Sequence, residues 1–287
     1  MLISPSTLSP ADLDGVAALE QRVRDSDGGH LKLDWGTLRS RSGDRPQDVL
    51  ARQDGRIVGF VGAYVFGGGP GELSGMVDPR LRRCGTGARL LDAALGLCDG
   101  PALLVVPRTS AGGRALALTR GGTVHHSEHS LELRGRPVPG QVDPALQVRP
   151  AGEPDVQLVA GLLAAGFGGQ AGPLVPQVLR TVADTLVAWL DGRPVGAVRI
   201  EREGSVGGVY GLVVDPRVQG RGLGRDLLRR VCEQLVDGGA ASVALQVSVD
   251  NDRALGLYTS LGFAKVSTED YYAVAAAPPR DGRARHP

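Results

Sequence analysis

Val214-Asp215-Pro216-Arg217-Val218-Gln219-Gly220-Arg221-Gly222-Leu223-Gly224-Arg225 is the stretch on which the reading of this chain turns. Ahead of it, Val206 to Val214 is a β-rich apolar run that stops at Asp215-Pro216. Behind it, Leu223 to Val236 has helical spacing, with Leu227, Leu228, Val231 and Leu235 on one face. Glycines between a strand and the helix it opens bare the backbone, so that N–H groups converge at a helix N-terminus, where the macrodipole favours an anion. The stretch reads as a pyrophosphate cradle. A dinucleotide fingerprint would place a third glycine where Leu227 stands, and a P-loop would need Gly-Lys-Ser/Thr where no lysine is found.

Working outward, the same pattern occurs earlier in the chain. Asp78-Pro79-Arg80, Gly85, Gly87, Leu90 and Leu91 recur 137 residues later as Asp215-Pro216-Arg217, Gly222, Gly224, Leu227 and Leu228. Asp54-Gly55-Arg56 and Val58-Gly59 recur at the same interval as Asp191-Gly192-Arg193 and Val195-Gly196. Downstream the register drifts, Arg114-Ala115-Leu116 matching Arg253-Ala254-Leu255 and Gly122 matching Gly262. A period this long is a duplicated domain, since each copy can bury its own core.

In the second copy the order reads helix (154–167), strand (185–190), turn at Asp191-Gly192-Arg193, strand (195–201), strand (206–214), helix (223–236), strand (242–249), helix (252–261) and strand (264–274). That order predicts an α/β chain of two tandem domains, each a mixed, mostly antiparallel sheet flanked by helices. The expected divisions are an N-terminal domain at 1–136, a proline-rich extended linker at 137–146, a C-terminal domain at 147–275 and a flexible tail at 276–287.

Composition narrows the function classes. In 287 residues, 32 Lys+Arg balance 31 Asp+Glu, so no field of one sign recommends nucleic acid or a membrane surface as partner. Cys84, Cys98 and Cys232 form neither a paired framework nor Cys-x-x-Cys spacing, and no long apolar span or leader is visible. A cytoplasmic protein is expected. His125, His126 and His129 lack a full ligand set and fall where a strand is predicted, so no metal site is expected.

Past the next predicted strand stand Asn251, Ala254, Tyr258 and Leu261-Gly262-Phe263. With Gln219 to Gly224 and the Val214-Asp215-Pro216 corner, they make the sequence resemble the GCN5-related N-acetyltransferase (GNAT) superfamily. The resemblance implies acetyl-CoA as acyl donor and a small-molecule amine as acceptor. It implies that Gln219, Gly220, Arg221, Gly222, Leu223, Gly224 and Arg225 hold the coenzyme A pyrophosphate. Backbone groups of Leu212, Val213 and Val214 would face the pantetheine and the thioester carbonyl, and Asn251 would bind the pantetheine arm. Tyr258 would protonate the departing thiolate, a role that suits a phenol because its ordinary pKa, about 10, keeps it protonated at neutral pH. Glu201 and Glu203 are candidates for the proton acceptor, each on a hairpin strand whose carboxylates ordinarily make a solvated face.

Within the superfamily, the tandem layout, Val209-Tyr210 and Ser267 to Tyr272 resemble the mycothiol synthase family. Where that family has an acidic residue ahead of its Val-Tyr pair, Gly207 and Gly208 stand here, and its lysine-bearing substrate segment has no counterpart. The first copy keeps Arg82, Arg83, Gly85 and Gly87 for a phosphate, but puts Leu118 or a neighbour where the tyrosine aligns and offers no asparagine. Chemistry is therefore expected in the C-terminal copy. The alternative is a non-catalytic acyl-CoA-binding or regulatory protein. Cys84, beside Arg82 and Arg83 at a helix start, has the setting of an activated thiol, and the glycine-rich 167–176 occupies the place of a substrate-facing loop.

Overall fold

The computed structural model describes residues 1–28, 31–65, 70–168 and 182–275, the side chain of residue 183 apart. The glycine-rich segment beyond Gly168 and the tail beyond Ala275 lie outside them.

In chain order the elements are β1 (Leu2–Ile3), α1 (Pro10–Asp27), α2 (Trp35–Arg39), β2 (Asp48–Gln53), β3 (Arg56–Tyr64), β4 (Gly71–Val77), α3 (Thr86–Leu95), β5 (Ala102–Pro107), α4 (Ala111–Leu118) and β6 (Thr123–Arg134). There follow β7 (Leu146–Pro150), α5 (Val156–Phe167), β8 (Thr185–Leu190), β9 (Arg193–Glu203), β10 (Val206–Val214), α6 (Leu223–Asp237), β11 (Ser242–Ser248), α7 (Asp252–Ser260) and β12 (Ala264–Val274). They form two α/β units. The first holds Met1–Val65, Pro70–Ser127 and the chain from Glu269; the second holds Glu128–Thr268.

The division differs from the expected one at both ends. In the first unit the strand order is β1-β2-β3-β4-β5 and then β12, whose residues Glu269 to Val274 pair antiparallel with Pro107 to Ala102. In the second it is β6-β11-β10-β9-β8-β7, with Glu128 to Arg134 of β6 antiparallel to Ser248 to Ser242. Each copy's last strand thus completes the other copy's sheet. The repeat alone does not announce this, because it supplies two closing strands and two sheets, and backbone pairing with β5 or β11 is open to either strand. β4/β5 and β10/β11 are parallel and the other pairings within each unit antiparallel.

Sequence explains the elements locally. The turn residues Asp54-Gly55 and Asp191-Gly192 all have positive φ, the geometry that lets a two-residue hairpin follow the strand twist. Amphipathic α6 buries Leu223, Leu227, Leu228, Val231, Cys232 and Leu235 against Val198, Val209, Val243, Leu245 and Val247 of the sheet. Burial of each such side chain stabilises the unit by about 1.5–3 kcal/mol. On the opposite face α5 packs Val159, Leu162 and Leu163 on Val187, Ala197 and Val213.

The stretch expected to run free between the domains is docked on the second unit. Buried Arg229 of α6 donates from Nε to the Val138 carbonyl at 3.2 Å and from Nη1 to that of Gln141 at 3.5 Å, while Asp226 accepts from the Asp143 N–H at 3.2 Å. A Cβ on Gly140 would lie 2.6 Å from the Arg229 guanidinium. From Leu146 the chain joins the sheet as edge strand β7, paired with β8 up to Pro150. The proline count obscured that strand, which places its prolines at its end and just before it. No helix among the described residues is long and apolar enough to cross a membrane.

Candidate acyl-transfer site

The second unit opens its sheet at one place. β10 pairs in parallel with β11 only from Val206↔Ser242 to Gly208↔Ala244. On its other side β10 pairs with β9 as Tyr210↔Arg199 and then Val213↔Ala197, so Gly211 and Leu212 together oppose one residue, Val198. This is a β-bulge, and Gly211 takes it up with a φ of +57°. Val209 enters the core under α6 and Val213 the one under α5, so the extra residue has switched the face on which the odd-numbered side chains lie. Beyond Gly208 the backbone of β10, including Leu212 to Val214, is left free of ladder bonds on the β11 side. Polar backbone of this kind is what a pantetheine amide and a thioester oxygen would need.

Immediately after β10, Asp215 caps a short turn by accepting from the Arg217 N–H, and the Arg217 guanidinium holds its carboxyl below the usual range. Gly220 and Gly222 then adopt φ of +83° and +85°, and a Cβ on either would meet open space. That space lies at the start of 15-residue α6. Gln219 is fixed at both ends: Nε2 donates to the Val214 carbonyl at 2.9 Å and Oε1 accepts from Arg253 Nη1 at 2.9 Å. Gly224 carries no side chain because a Cβ there would press on Leu257 at 3.2 Å, so α6 and α7 can lie close.

Asn251 caps α7, its Oδ1 accepting from the Ala254 N–H at 3.0 Å. About two turns later Tyr258 is buried, its ring 6.1 Å from that of Phe263, and burial pushes its pKa up to about 12. The structure therefore brings Leu212 to Val214, Gln219 to Arg225, Asn251 and Tyr258 onto β10 and the two helices that follow it. Arg253 and the bulge glycine, Gly211, were missed in the sequence. An isolated glycine between Tyr210 and Leu212 of a strand was the available signal.

The first unit has the loop without the rest. Arg82 matches Gln219, its Nε donating to the Val77 carbonyl at 3.2 Å, but Asp27 of α1 grips its two terminal nitrogens at 2.8 and 2.7 Å. Arg83 stands at φ +64° where Gly220 stands in the second, and Gly85 at +83° corresponds to Gly222. Gly87 follows within α3. Ser110 caps α4 as Asn251 caps α7. The amides of Arg120 and Gly122 bond the Ala117 carbonyl as those of Leu261 and Phe263 bond that of Tyr258, so the tyrosine's counterpart is Ala117, the neighbour of Leu118, and Gly262 corresponds to Gly121 rather than to Gly122. β4 meets β3 without a slip from Gly59↔Val77 to Tyr64↔Glu72.

The remaining candidates also have places. Cys84 is exposed, its Sγ 2.8 Å from the Leu81 carbonyl. His125, His126 and His129 lie on β6, His129 against Thr268 Oγ1 at 2.9 Å. Among the described residues no three His, Cys, Asp or Glu side chains form a group that could hold a metal ion.

The family model described as "Acetyltransferase (GNAT) family" matches this chain twice, at residues 17–107 and 175–263. The chain belongs to the GNAT acetyltransferase family. Its similarity extends over whole relatives. It is 31% identical to a mycothiol acetyltransferase of Kytococcus sedentarius, covering 94% of this chain and 96% of the relative, and 32% identical to one of Kineococcus radiotolerans, covering 92% and 94%. Among solved structures, a GCN5-related N-acetyltransferase from Sphaerobacter thermophilus superposes with a TM-score of 0.76 at 19% identity, over 96% of each chain. A tandem GNAT protein of the clavulanic acid biosynthesis pathway gives 0.70 at 17% identity, over 97% of this chain and 99% of that one. Two GNAT domains in one chain and acetyl-CoA-dependent acetyl transfer are thus family properties of this protein.

Proposed function

We propose that the C-terminal unit transfers acetyl from acetyl-CoA to a primary amine of a small molecule by direct attack. The observation that carries this reading is the bulge at Gly211-Leu212, which lies between the end of the parallel ladder at Gly208 and the glycine loop. Gln219 to Arg225 would hold the pyrophosphate, and the Asn251 amide nitrogen, its oxygen being engaged in the helix cap, would face the pantetheine arm. The amine nitrogen attacks the thioester carbon, and an N–H near Val214 steadies the oxyanion. As the C–S bond breaks, the Tyr258 hydroxyl gives its proton to the thiolate and the amine gives one up.

The N-terminal unit, with Ala117 for Tyr258 and a regular β4, we read as a structural copy whose loop Arg82, Arg83, Gly85 and Gly87 can still receive a phosphate. Three unpaired thiols are consistent with a cytoplasmic setting.

Steady-state assays of Tyr258→Phe with acetyl-CoA and a panel of primary amines test the assignment. A fall in kcat of about 100-fold with KM for acetyl-CoA little changed is expected. Unchanged turnover across pH removes the general-acid role. Calorimetric binding of acetyl-CoA by the wild type with no transfer to any amine would favour a regulatory protein instead.

A further inference from the structure

The amine must lose a proton, and one face of the sheet just ahead of the bulge carries a carboxylate. Gly208 on β10 is paired directly with Glu201 on β9, and Tyr210 with Arg199. Val198, Ile200 and Val209 turn toward the core under α6, so Arg199, Glu201, Gly208 and Tyr210 share the other face, just ahead of the bulge. There the Arg199 guanidinium rests 4.0 Å from the centre of the Tyr210 ring and donates from Nη1 to Glu201 Oε2 at 3.0 Å. The Tyr210 ring leans back over Gly208, where an added Cβ would lie 2.6 Å from its hydroxyl. Gly208 itself offers no side chain to serve the acceptor, and the carboxylate facing that spot comes from across the ladder.

Resting on the transferase reading above, we propose that Glu201 is the proton acceptor for the attacking amine. Arg199 is its positioning residue: clamped on the Tyr210 ring, it holds one carboxylate oxygen and leaves Oε1 for the ammonium or for a water bonded to it. At about 3.3 Å per residue, Gly208 stands about 10 Å along β10 from Gly211. A glutamate side chain covers part of that distance, and a chain of bridging water the rest, to a thioester lying at or beyond the bulge. Among the described residues, the charged and titratable groups facing Glu201 are Arg199, Tyr210 and, one pair further from the bulge and opposite Val206, Glu203. On β8 the neighbour of Arg199 is Thr185, and α5 has no charged residue.

The test is kcat/KM against pH for wild type, Glu201→Gln, Glu201→Asp and Glu203→Gln, with glucosamine, ethanolamine and spermidine as acceptors and N-acetyl product read by mass spectrometry. The expected result is a fall of 100-fold or more in Glu201→Gln with loss of the ascending acid limb. Partial recovery in Glu201→Asp, an unaltered Glu203→Gln and an unaltered KM for acetyl-CoA are expected with it. Activity of Glu201→Gln within threefold of wild type, or an equal fall in Glu203→Gln, overturns the assignment while leaving the transferase reading intact. A wild type that binds acetyl-CoA but acetylates none of these amines overturns both.

Discussion

β4 and β10 begin alike and end alike, yet one takes one residue fewer to do so. Counting back from the helix caps Ser110 and Asn251, Ala102 of β5 corresponds to Val243 of β11. The parallel ladders then match Gly71 with Gly207, Glu72 with Gly208 and Leu73 with Val209. Leu73 and Val209 both point into the core beneath the following helix, and so do Val77 and Val214. Three residues separate the first pair and four the second. Both parallel ladders end after three pairs, so what sets β10 apart is the bulge, which takes Gly211 and Leu212 out of regular pairing with β9; in our reading this difference in strand length separates the two units before any side chain is considered. The side chains then follow: Glu72 opposite Tyr64 in the first unit, Gly208 opposite Glu201 in the second.

The comparison is broken most directly by deleting Gly211. Because residues on either side of the bulge alternate between faces once it is removed, the variant keeps Val209, Leu212 and Val214 on the α6 side and Val213 on the α5 side. It should fold, as circular dichroism would show, and lose about 100- to 1,000-fold in kcat, the usual cost of an oxyanion donor. Retained turnover would mean that the bulge is incidental.

A smaller effect is expected of Gly220→Arg, which copies Arg83 into the second loop. A side chain at φ +83° costs about 1–2 kcal/mol, lowering Tm by several degrees, and KM for acetyl-CoA should rise about tenfold. The wild-type pH profile sharpens the contrast further. With Tyr258 pushed up to about 12 and Ala117 in its place elsewhere, kcat should show no descending limb below about pH 10.

The smallest effect concerns α5, whose start is held by Arg149 and Asp155. Hydrogen bonds from Arg149 at 2.7 and 2.9 Å, with the Gly152 N–H, depress the Asp155 carboxyl from 3.8 to about 2. A depressed carboxyl contributes stability above its unfolded value and loses it as pH falls toward 2. Arg149→Ala should therefore lower stability only slightly at pH 6, since Arg149 is half exposed, and by less at pH 2, where the Asp155 carboxyl is about half protonated. Urea unfolding at the two pH values checks it.

Much of this was legible. Glycine spacing and the Asp-Gly turns gave the duplication, the strands and helices of the second copy, and the residues around the loop. The bulge was hidden for a definite reason. Asp54 to Asp191 and Asp78 to Asp215 are equally spaced, but the residue gained at Gly211-Leu212 is offset by one lost in the connection between Glu201 and Gly208 relative to that between Tyr64 and Glu72. A register without gaps thus concealed two changes that cancel. Strand exchange was hidden because a duplicated sequence gives two closing strands and two places for them, and nothing in the repeat says which goes where. Glu201 looked like any solvated hairpin carboxylate until the ladder set it against Gly208.

That exchange also fixes an order of events during synthesis. Residues 128–268 form one unbroken insertion between the two parts of the first unit. The unit that starts first is therefore finished last, because its sheet waits for Glu269 to Val274 to leave the ribosome, after all of the second unit has been made. Cutting the gene between its two similar halves would leave each piece without the strand that closes its sheet here and with the strand that closes the other: Glu128 to Arg134 on the front, Glu269 to Val274 on the rear.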